Sequence, residues 1–344
     1  MVVEKLKKTK LYLNLRKFIY PYDLLGICYV FMALAMSAIY GFRLDFKLVL
    51  KWHYDLQFAK LALSFAILDM AWMAISIKKA AASNKLFGME WLQQVKLKYL
   101  KPQMLFHLFK VLLWLKIILF VYCNIKQAIP FINPQLYDKQ LLDIDKFLTF
   151  GFNPNLLIVN SCQSPIITTM IDKLYVLWYF IKPFILIYFV VISSKITHIR
   201  FFTCYFSMWI FGGLFALLFP SLGPIYVHPE WFANILKPMA DSLQERLGIH
   251  YLLAKSNPEH YHYFIYEGIA AFPSLHVGII AIFAFFVIEN NKTFGIIMFI
   301  YLMIIQLGSV LLGWHYMVDG LFCTGLAYLL YTRSMPSLPK NIQE

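Results

Sequence analysis

Two histidines and one aspartate in the C-terminal third of the sequence have the side chains and the spacing of a catalytic group. His315 and Asp319 lie four residues apart in the stretch G-W-H-Y-M-V-D-G, residues 313–320. On a helix such residues share a face, so the carboxylate can accept a hydrogen bond from one imidazole nitrogen and fix the tautomer. The other ring nitrogen then keeps a more basic, exposed lone pair, which a nucleophile or a general base requires.

The other histidine, His276, lies in a segment that favours the start of a helix. In P-S-L-H, residues 273–276, Pro273 suits the first helical turn because its missing N–H would be unpaired there, and Ser274 suits the cap. The free N–H groups and the positive end of the helix dipole form a natural anion site. With His276 as a proton donor, the two segments together indicate a phosphate site that has a nucleophile and an acid.

These two segments resemble a known family. P-S-L-H and His315-x3-Asp319 look like the second and third motifs of the type 2 phosphatidic acid phosphatase superfamily, P-S-G-H and S-R-x5-H-x3-D. The P-S-L-H form, with an aromatic residue before His315, is closer to the branch that includes inositol phosphorylceramide synthases. Two upstream stretches, residues 138–154 and 219–226, are similar to that branch as well, so the resemblance covers about residues 130–332.

The resemblance implies a role for each of the three residues. His315 would attack phosphorus and form a phosphohistidine, His276 would protonate the leaving oxygen, and Asp319 would orient His315. Water or an acceptor hydroxyl would then complete hydrolysis or transfer. The family uses neither a metal ion nor a cofactor for this reaction, so we expect neither here.

The sequence departs from the phosphatase motifs where positive charge is expected. The arginine of the third motif falls at Ser309, and no Lys-x6-Arg-Pro precedes the P-S-L-H segment. A phosphoryl transition state carries negative charge that donors or cations must stabilise. We predict that Ser274, Ser309 and Lys255 bind substrate, with backbone amides near Ser274 and the side chains of Lys237 and Arg246 as further candidates. The missing arginine favours transfer with a diester substrate over hydrolysis of a monoester.

The composition indicates what must position these residues. Of the 344 residues, 60% are hydrophobic and 14% are charged, which is more apolar surface than one soluble core could bury. We therefore predict an all-α, polytopic membrane helix bundle. Eight apolar stretches reach or approach the roughly 20 residues that a helix needs to cross a bilayer. They are residues 21–42, 58–77, 104–124, 172–192, 201–220, 270–289, 294–312 and 315–332.

Lysine and arginine in the loops predict the orientation, because cytoplasmic loops carry the excess. With the N-terminus in the cytoplasm, that side holds 17 of these residues and the opposite side holds nine. The prediction is therefore N-in and C-in, with His276 and His315 at the outer face. The formal net charge of +13 reflects this topology and attraction to anionic lipid headgroups. Nucleic-acid binding is not expected, because no soluble segment combines a basic stripe with stacking aromatic residues.

The chain is predicted to divide into three parts. Residues 1–125 form a basic tail and three membrane spans, residues 126–335 form the catalytic core, and residues 336–344 form a short cytoplasmic tail. Within the core, the outer loops 126–171 and 221–269 would shape the polar end of the site. The segment 83–101 is predicted to be an amphipathic helix at the membrane surface.

A few other residues receive structural interpretations. Asp69, Lys116 and Lys182 fall at membrane depth, where an ion pair inside the bundle is the expected arrangement. The five cysteines lack metal-binding spacing and are expected to be free thiols.

The sequence supports three hypotheses of function. The first is an integral membrane phosphatase or phosphotransferase acting on a phosphate ester of a lipid at the non-cytoplasmic surface, which is periplasmic in a bacterium and lumenal or extracellular in a eukaryote. The second is headgroup transfer to a hydroxyl acceptor, as in inositol phosphorylceramide synthases. The third is a non-catalytic lipid transporter or structural membrane subunit. Membrane lipids are the expected partners, while the lipid, the acceptor and the oligomeric state stay open.

Overall fold

The computed structural model describes residues 19–45, 102–191, 193–256 and 268–335, and the structural statements below concern these ranges. The described residues are mostly helical and contain no β-strand. The α-helices are α1 (Pro21–Tyr40), α2 (Pro102–Ile132), α3 (Asp138–Leu148), α4 (Pro154–Ser161), α5 (Pro165–Val176), α6 (Trp178–Val191), α7 (Lys195–Leu218), α8 (Pro224–Val227), α9 (Pro238–Ser256), α10 (Leu275–Asn290), α11 (Lys292–Leu311) and α12 (Met317–Arg333). A 3-10 helix covers Pro229–Phe232, between α8 and α9.

The helices agree with most of the predicted membrane spans. Five helical segments are long and apolar enough to cross a bilayer: Pro21–Tyr40, Met104–Ile132, Pro165–Val191, Lys195–Leu218 and Lys292–Leu311. They correspond to the first, third, fourth, fifth and seventh predicted spans. The sixth corresponds to α10, a shorter apolar helix of 16 residues, and the eighth to α12, of 17 residues. The all-helical membrane architecture is confirmed, whereas the count of eight spans and the orientation stay predictions.

Some sequence predictions fall on residues that the structure does not describe. The second predicted span, the amphipathic helix at 83–101, Asp69 and the C-terminal tail lie outside the described residues.

The segments expected as outer loops are largely helical where they are described. α3 and α4 lie in the first, and α8 and α9 lie in the second. α3 is amphipathic: Leu141 and Leu142 are buried with Asp138 and Asp145, while Phe147 is exposed. A search for long apolar stretches overlooks such a helix because its polar residues lower the average hydropathy.

α10 forms the centre of the described bundle. Every residue from Val277 to Ala284 is buried, as expected of a helix that is surrounded on all sides. It packs against α7, α11 and α12. Gly278 permits this close approach, because a Cβ there would lie 2.9 Å from Met208 Sδ on α7 and 3.1 Å from Cys323 Cβ on α12. α10 and α12, which carry or adjoin the candidate catalytic residues, are thus in close contact.

A buried polar contact joins α1 to α2. Asp23 on α1 accepts a hydrogen bond from Trp114 Nε1 at 2.6 Å and forms an ion pair with Lys110. The Lys110 ammonium also lies 4.0 Å from the centroid of the Tyr20 ring. Because a buried charge is strongly destabilising without its partner, this contact stabilises the position of the first helix.

Asp23→Ala is expected to lower the free energy of unfolding by about 3 kcal/mol, since it leaves the Lys110 ammonium buried without its carboxylate. The measurement is denaturant unfolding of the detergent-solubilised protein. The control is Asp143→Ala, which removes an exposed carboxylate from α3 and should change stability by less than about 0.5 kcal/mol. Equal effects of the two substitutions would show that the pair does not stabilise the fold.

Candidate active site

His276 and His315 line the same cavity. Their ring centroids are 6.1 Å apart and their ring planes are inclined by 66°. The cavity has a volume of about 440 Å³. His276 is the second residue of α10, and His315 precedes the first residue of α12 by two positions. At this separation, both imidazoles can reach groups attached to one phosphorus atom.

His315 is paired with Asp319, although not across a helical turn as the sequence predicts. α12 begins at Met317 and Tyr316 is its N-cap, so His315 lies before the helix. His315 Nδ1 nevertheless lies 3.4 Å from Asp319 Oδ2, which is within ion-pair distance but too long for a hydrogen bond, and Nδ1 has no hydrogen-bond partner among the described residues. The same oxygen accepts the Tyr316 N–H at 3.1 Å, and Asp319 is fully buried. With Nδ1 directed to the carboxylate, Nε2 is the nitrogen left for a ligand.

His276 is held by two aromatic residues from α5 and α6. The Tyr175 hydroxyl lies 3.1 Å from His276 Nδ1, within hydrogen-bond distance. The Trp178 ring packs edge-to-face against the imidazole, with 4.8 Å between the ring centroids. Because Nδ1 is occupied by Tyr175, Nε2 is the nitrogen of His276 that can exchange a proton with a ligand.

Side chains from two other helices hold the loop that carries His315. Asn155 on α4 is fully buried, and its side-chain N–H group lies 3.3 Å from the carbonyl oxygens of both Val310 and His315. Gln244 on α9 donates a hydrogen bond to the Leu312 carbonyl oxygen at 2.8 Å. These bonds satisfy backbone groups that leave the helical pattern at the end of α11, and they restrict where His315 can lie.

Asp138 joins α3 to the segment that precedes α8 and to the start of α12. Its carboxylate accepts the N–H groups of Leu222 at 3.0 Å and Gly223 at 2.8 Å, and the Tyr316 hydroxyl at 3.2 Å. Gly223 has a φ of +98°, and a Cβ at this position would lie 2.5 Å from the Trp314 carbonyl oxygen. A side chain therefore cannot fit there without moving the backbone next to His315.

Asp145 caps the helix that begins after His315. Its two carboxylate oxygens accept the N–H groups of Met317 and Val318, each at 2.7 Å. These two N–H groups, at the start of α12, have no hydrogen-bond partner within the helix. Burial raises the pKa of Asp145 to about 6. Asp138, Asp145 and Asn155 have no predicted role in the sequence analysis. The sequence pattern that could have indicated the two aspartates is their spacing of seven residues, which places them on one face of an amphipathic helix.

The predicted substrate-binding residues do not belong to the cavity wall formed by the described residues. Ser274 is at the N-cap of α10, but its buried hydroxyl makes no capping hydrogen bond and has no partner among the described residues. The Ser309 hydroxyl donates to the Gln306 carbonyl oxygen at 2.7 Å, and the Ser309 carbonyl accepts the His315 N–H at 3.1 Å. Lys255 is exposed near the end of α9. Contact of these side chains with substrate stays a prediction.

Three cationic side chains do line the cavity: Lys126 on α2, Lys182 on α6 and Arg246 on α9. Arg246, a candidate from the sequence, is exposed. Lys182 was expected in an ion pair within the bundle and Lys126 in an outer loop. The remaining candidate, Lys237, forms an ion pair with Asp241 and is outside the cavity wall described here.

The chemical groups around the cavity suit nucleophilic attack on an anionic centre. They comprise two imidazoles, a buried carboxylate behind one of them, and three cations, beside one acidic lining residue, Asp172. Within the described ranges, no cluster of histidine, cysteine, aspartate and glutamate could hold a metal ion, and the cysteines are free thiols.

Asp145→Asn is expected to reduce the pH dependence of stability between about pH 4 and about pH 6. The pKa of Asp145 is about 6 in the folded protein, above the value of about 3.9 for an unfolded chain. The folded state therefore binds this proton more tightly, so the stabilisation is complete below about pH 4 and is lost as the pH rises through about 6. The measurement is the free energy of unfolding across this range. The wild type should lose more stability than the variant, and parallel curves would contradict the assignment.

Comparison with known proteins identifies the family of this chain. A family model described as the PAP2 superfamily matches residues 139–332. The matched region begins in α3, ends in α12 and contains both histidines and Asp319. Comparison with curated proteins and with solved structures yields no significant match. Because the family model covers more than half of the sequence, the chain belongs to the PAP2 superfamily.

Proposed function

We propose that this protein is an integral membrane phosphatase or phosphotransferase that acts on a phosphate ester of a lipid through a phosphohistidine at His315. The observation that carries the proposal is the 6.1 Å separation of the His276 and His315 rings in one cavity. Membership of the PAP2 superfamily supports phosphoryl chemistry. The five apolar helices support a location in the membrane, where a lipid substrate is available.

The proposed reaction has two steps. In the first, His315 Nε2 forms a bond to phosphorus while the ester P–O bond breaks, and protonated His276 gives its proton to the leaving oxygen. Asp319 holds His315 in the required tautomer and stabilises the positive charge that develops on the ring. In the second, water or an acceptor hydroxyl attacks phosphorus and gives a proton to His276. The P–N bond then breaks and the free imidazole of His315 is restored.

The cavity wall supports a substrate with an apolar and an anionic part. Leu119, Trp209 and Leu275 contribute apolar surface, while Lys126 and Lys182 contribute positive charge. Helices that face lipid can admit acyl chains from the side while the phosphate meets the polar groups. With the N-in topology, this site faces the periplasm in a bacterium, or the lumen or exterior in a eukaryote.

Transfer to a hydroxyl acceptor is the second form of the proposal. Ser309 replaces the third-motif arginine, a departure that favours a diester and headgroup transfer of the inositol phosphorylceramide synthase kind. A panel of purified lipid phosphates, assayed with and without a hydroxyl acceptor, separates the two forms. Hydrolysis releases inorganic phosphate from a monoester, whereas transfer produces a headgroup-exchanged lipid.

His315→Ala is expected to abolish turnover, and His276→Ala to lower it by about 10²- to 10⁴-fold, because the first removes the nucleophile and the second removes the acid. The measurement is turnover of the best lipid phosphate by purified protein, with folding checked by size-exclusion chromatography. A labelled phosphoryl group should be trapped on the wild type as an acid-labile, base-stable adduct.

His228→Ala is the matched control, since this histidine stacks on Trp231 and is outside the described cavity wall. It should keep wild-type turnover. A folded His315→Ala protein that converts lipid as fast as this control would exclude His315 as the nucleophile. Lipid movement without conversion by the wild type and both variants would favour the non-catalytic transporter.

Asp319→Asn is expected to lower kcat by about 10²- to 10⁴-fold with little change in KM, because the amide can neither fix the same tautomer nor stabilise the imidazolium. The measurement is steady-state kinetics of the variant beside Asp143→Asn, an exposed carboxylate on α3. A change confined to KM would indicate a binding role for Asp319.

A further inference from the structure

The positive charge in the cavity comes from parts of the chain that the sequence motifs do not contain. Ser309 stands where the third motif has arginine, and its hydroxyl is bonded to the Gln306 carbonyl oxygen. A phosphoryl group in transfer carries charge on its nonbridging oxygens, and cations or oriented donors must meet it there. If the proposed function holds, the cations of the cavity wall are the available source.

Lys126 is the last of four residues on one face of α2 that line the cavity. Leu119, Tyr122, Cys123 and Lys126 all line it, and their spacing of three, four and seven residues places them on one side of the helix. The Lys126 ammonium lies 5.9 Å from the Tyr122 ring centroid. The ion pairs among the described residues do not include Lys126. This helix precedes the region matched by the family model.

Lys182 approaches the cavity from α6 beside His276. It is 8% exposed, and its ammonium lies 4.8 Å from the Trp178 ring centroid. Trp178 also packs against His276, so one indole contacts both the lysine and the imidazole. Lys126 and Lys182 line the same cavity as His276. Ammonium groups at membrane depth are costly and are usually retained for function.

We propose that Lys126 and Lys182 together bind the phosphate group of the substrate and stabilise its nonbridging oxygens during transfer. They supply from α2 and α6 the charge that the third motif lacks at Ser309. α2 is then part of the catalytic unit as well as a membrane anchor. Two ammonium groups favour a dianion, so this inference supports the monoester form of the proposed function over the diester form that the substitution at Ser309 alone favours. Loss of the lysines should weaken binding of a phosphate monoester more than that of a diester.

The test is the affinity of the full-length, detergent-solubilised protein for inorganic phosphate, measured by isothermal titration calorimetry. Lys126→Gln and Lys182→Gln should each raise the dissociation constant about tenfold or more, and the Lys→Arg variants should retain part of the affinity. Each glutamine variant should also lower kcat/KM for the lipid phosphate by about 10- to 100-fold.

The control is Lys116→Gln, a substitution ten residues earlier on α2 at a position outside the described cavity wall. It should leave phosphate affinity and turnover at wild-type values. A second measurement uses the unmodified protein: inorganic phosphate should slow acylation of Lys126 and Lys182, but not of Lys116, as read by mass spectrometry. It gives a result even where a glutamine variant fails to fold.

The outcomes separate this inference from the proposed function. Glutamine variants that bind phosphate and turn over lipid as well as Lys116→Gln, or acylation that phosphate does not slow, would overturn the role of the lysines. A His315→Ala protein without turnover would leave the proposed function standing in that case. Weakened phosphate binding in both lysine variants, with no lipid phosphate turned over by the wild type, would support the anion site and remove the enzymatic proposal.

Discussion

The site depends on keeping two imidazole rings next to a space that one phosphoryl group can fill, although the rings belong to different helices. Small displacements of reacting groups are costly in rate, so the starts of α10 and α12 must keep a fixed relation. A direct backbone hydrogen bond helps to fix the relative position of the two helix starts: the Ser274 N–H donates to the Asp319 carbonyl oxygen at 3.2 Å. The buried length of α10 maintains the same relation, because its close-packed neighbours leave little space for a shift.

Buried carboxylates then define the backbone around His315. Asp138, Asp145 and Asp319 are each buried, and each accepts at least one backbone N–H. Removing a carboxylate from water is costly, and these hydrogen bonds offset the cost only while the segments stay in place. The network therefore couples the position of His315 to the folding of α3 and of the segment before α8. Phosphoryl chemistry at His315 would depend on residues that never contact the substrate.

The apolar helices, the helix start before His276 and the proximity of His315 to Asp319 could be predicted from the sequence, because each leaves a local pattern. The predicted hydrogen bond between the two side chains is not formed. The predicted geometry of this pair was wrong, since α12 begins only at Met317 and His315 lies before the helix. Ser274 was correctly placed at a cap position, but its hydroxyl makes no capping bond. The placement of Pro273 in the first helical turn was wrong, because α10 begins at Leu275 and Pro273 lies before the cap.

Other parts of the site could not be predicted because they depend on distances between helices. Lys126 follows an apolar stretch, so the sequence predicts a loop residue. In the structure α2 continues to Ile132, and Lys126 lies on the cavity wall. For Lys182 the sequence predicts a buried ion pair. Its position beside His276 depends on packing against Trp178, which contacts both side chains. α3 in the first outer segment is amphipathic, so its average hydropathy does not reveal it.

The convergence of the two histidines is tested most directly by an experimental structure with bound orthovanadate, which adopts the trigonal bipyramid of a phosphoryl transition state. A phosphohistidine mechanism predicts a bond from vanadium to His315 Nε2 and an opposite apical oxygen within about 2.6–3.2 Å of His276 Nε2. Vanadate bound away from these rings, or rings too far apart to contact one vanadate, would contradict it.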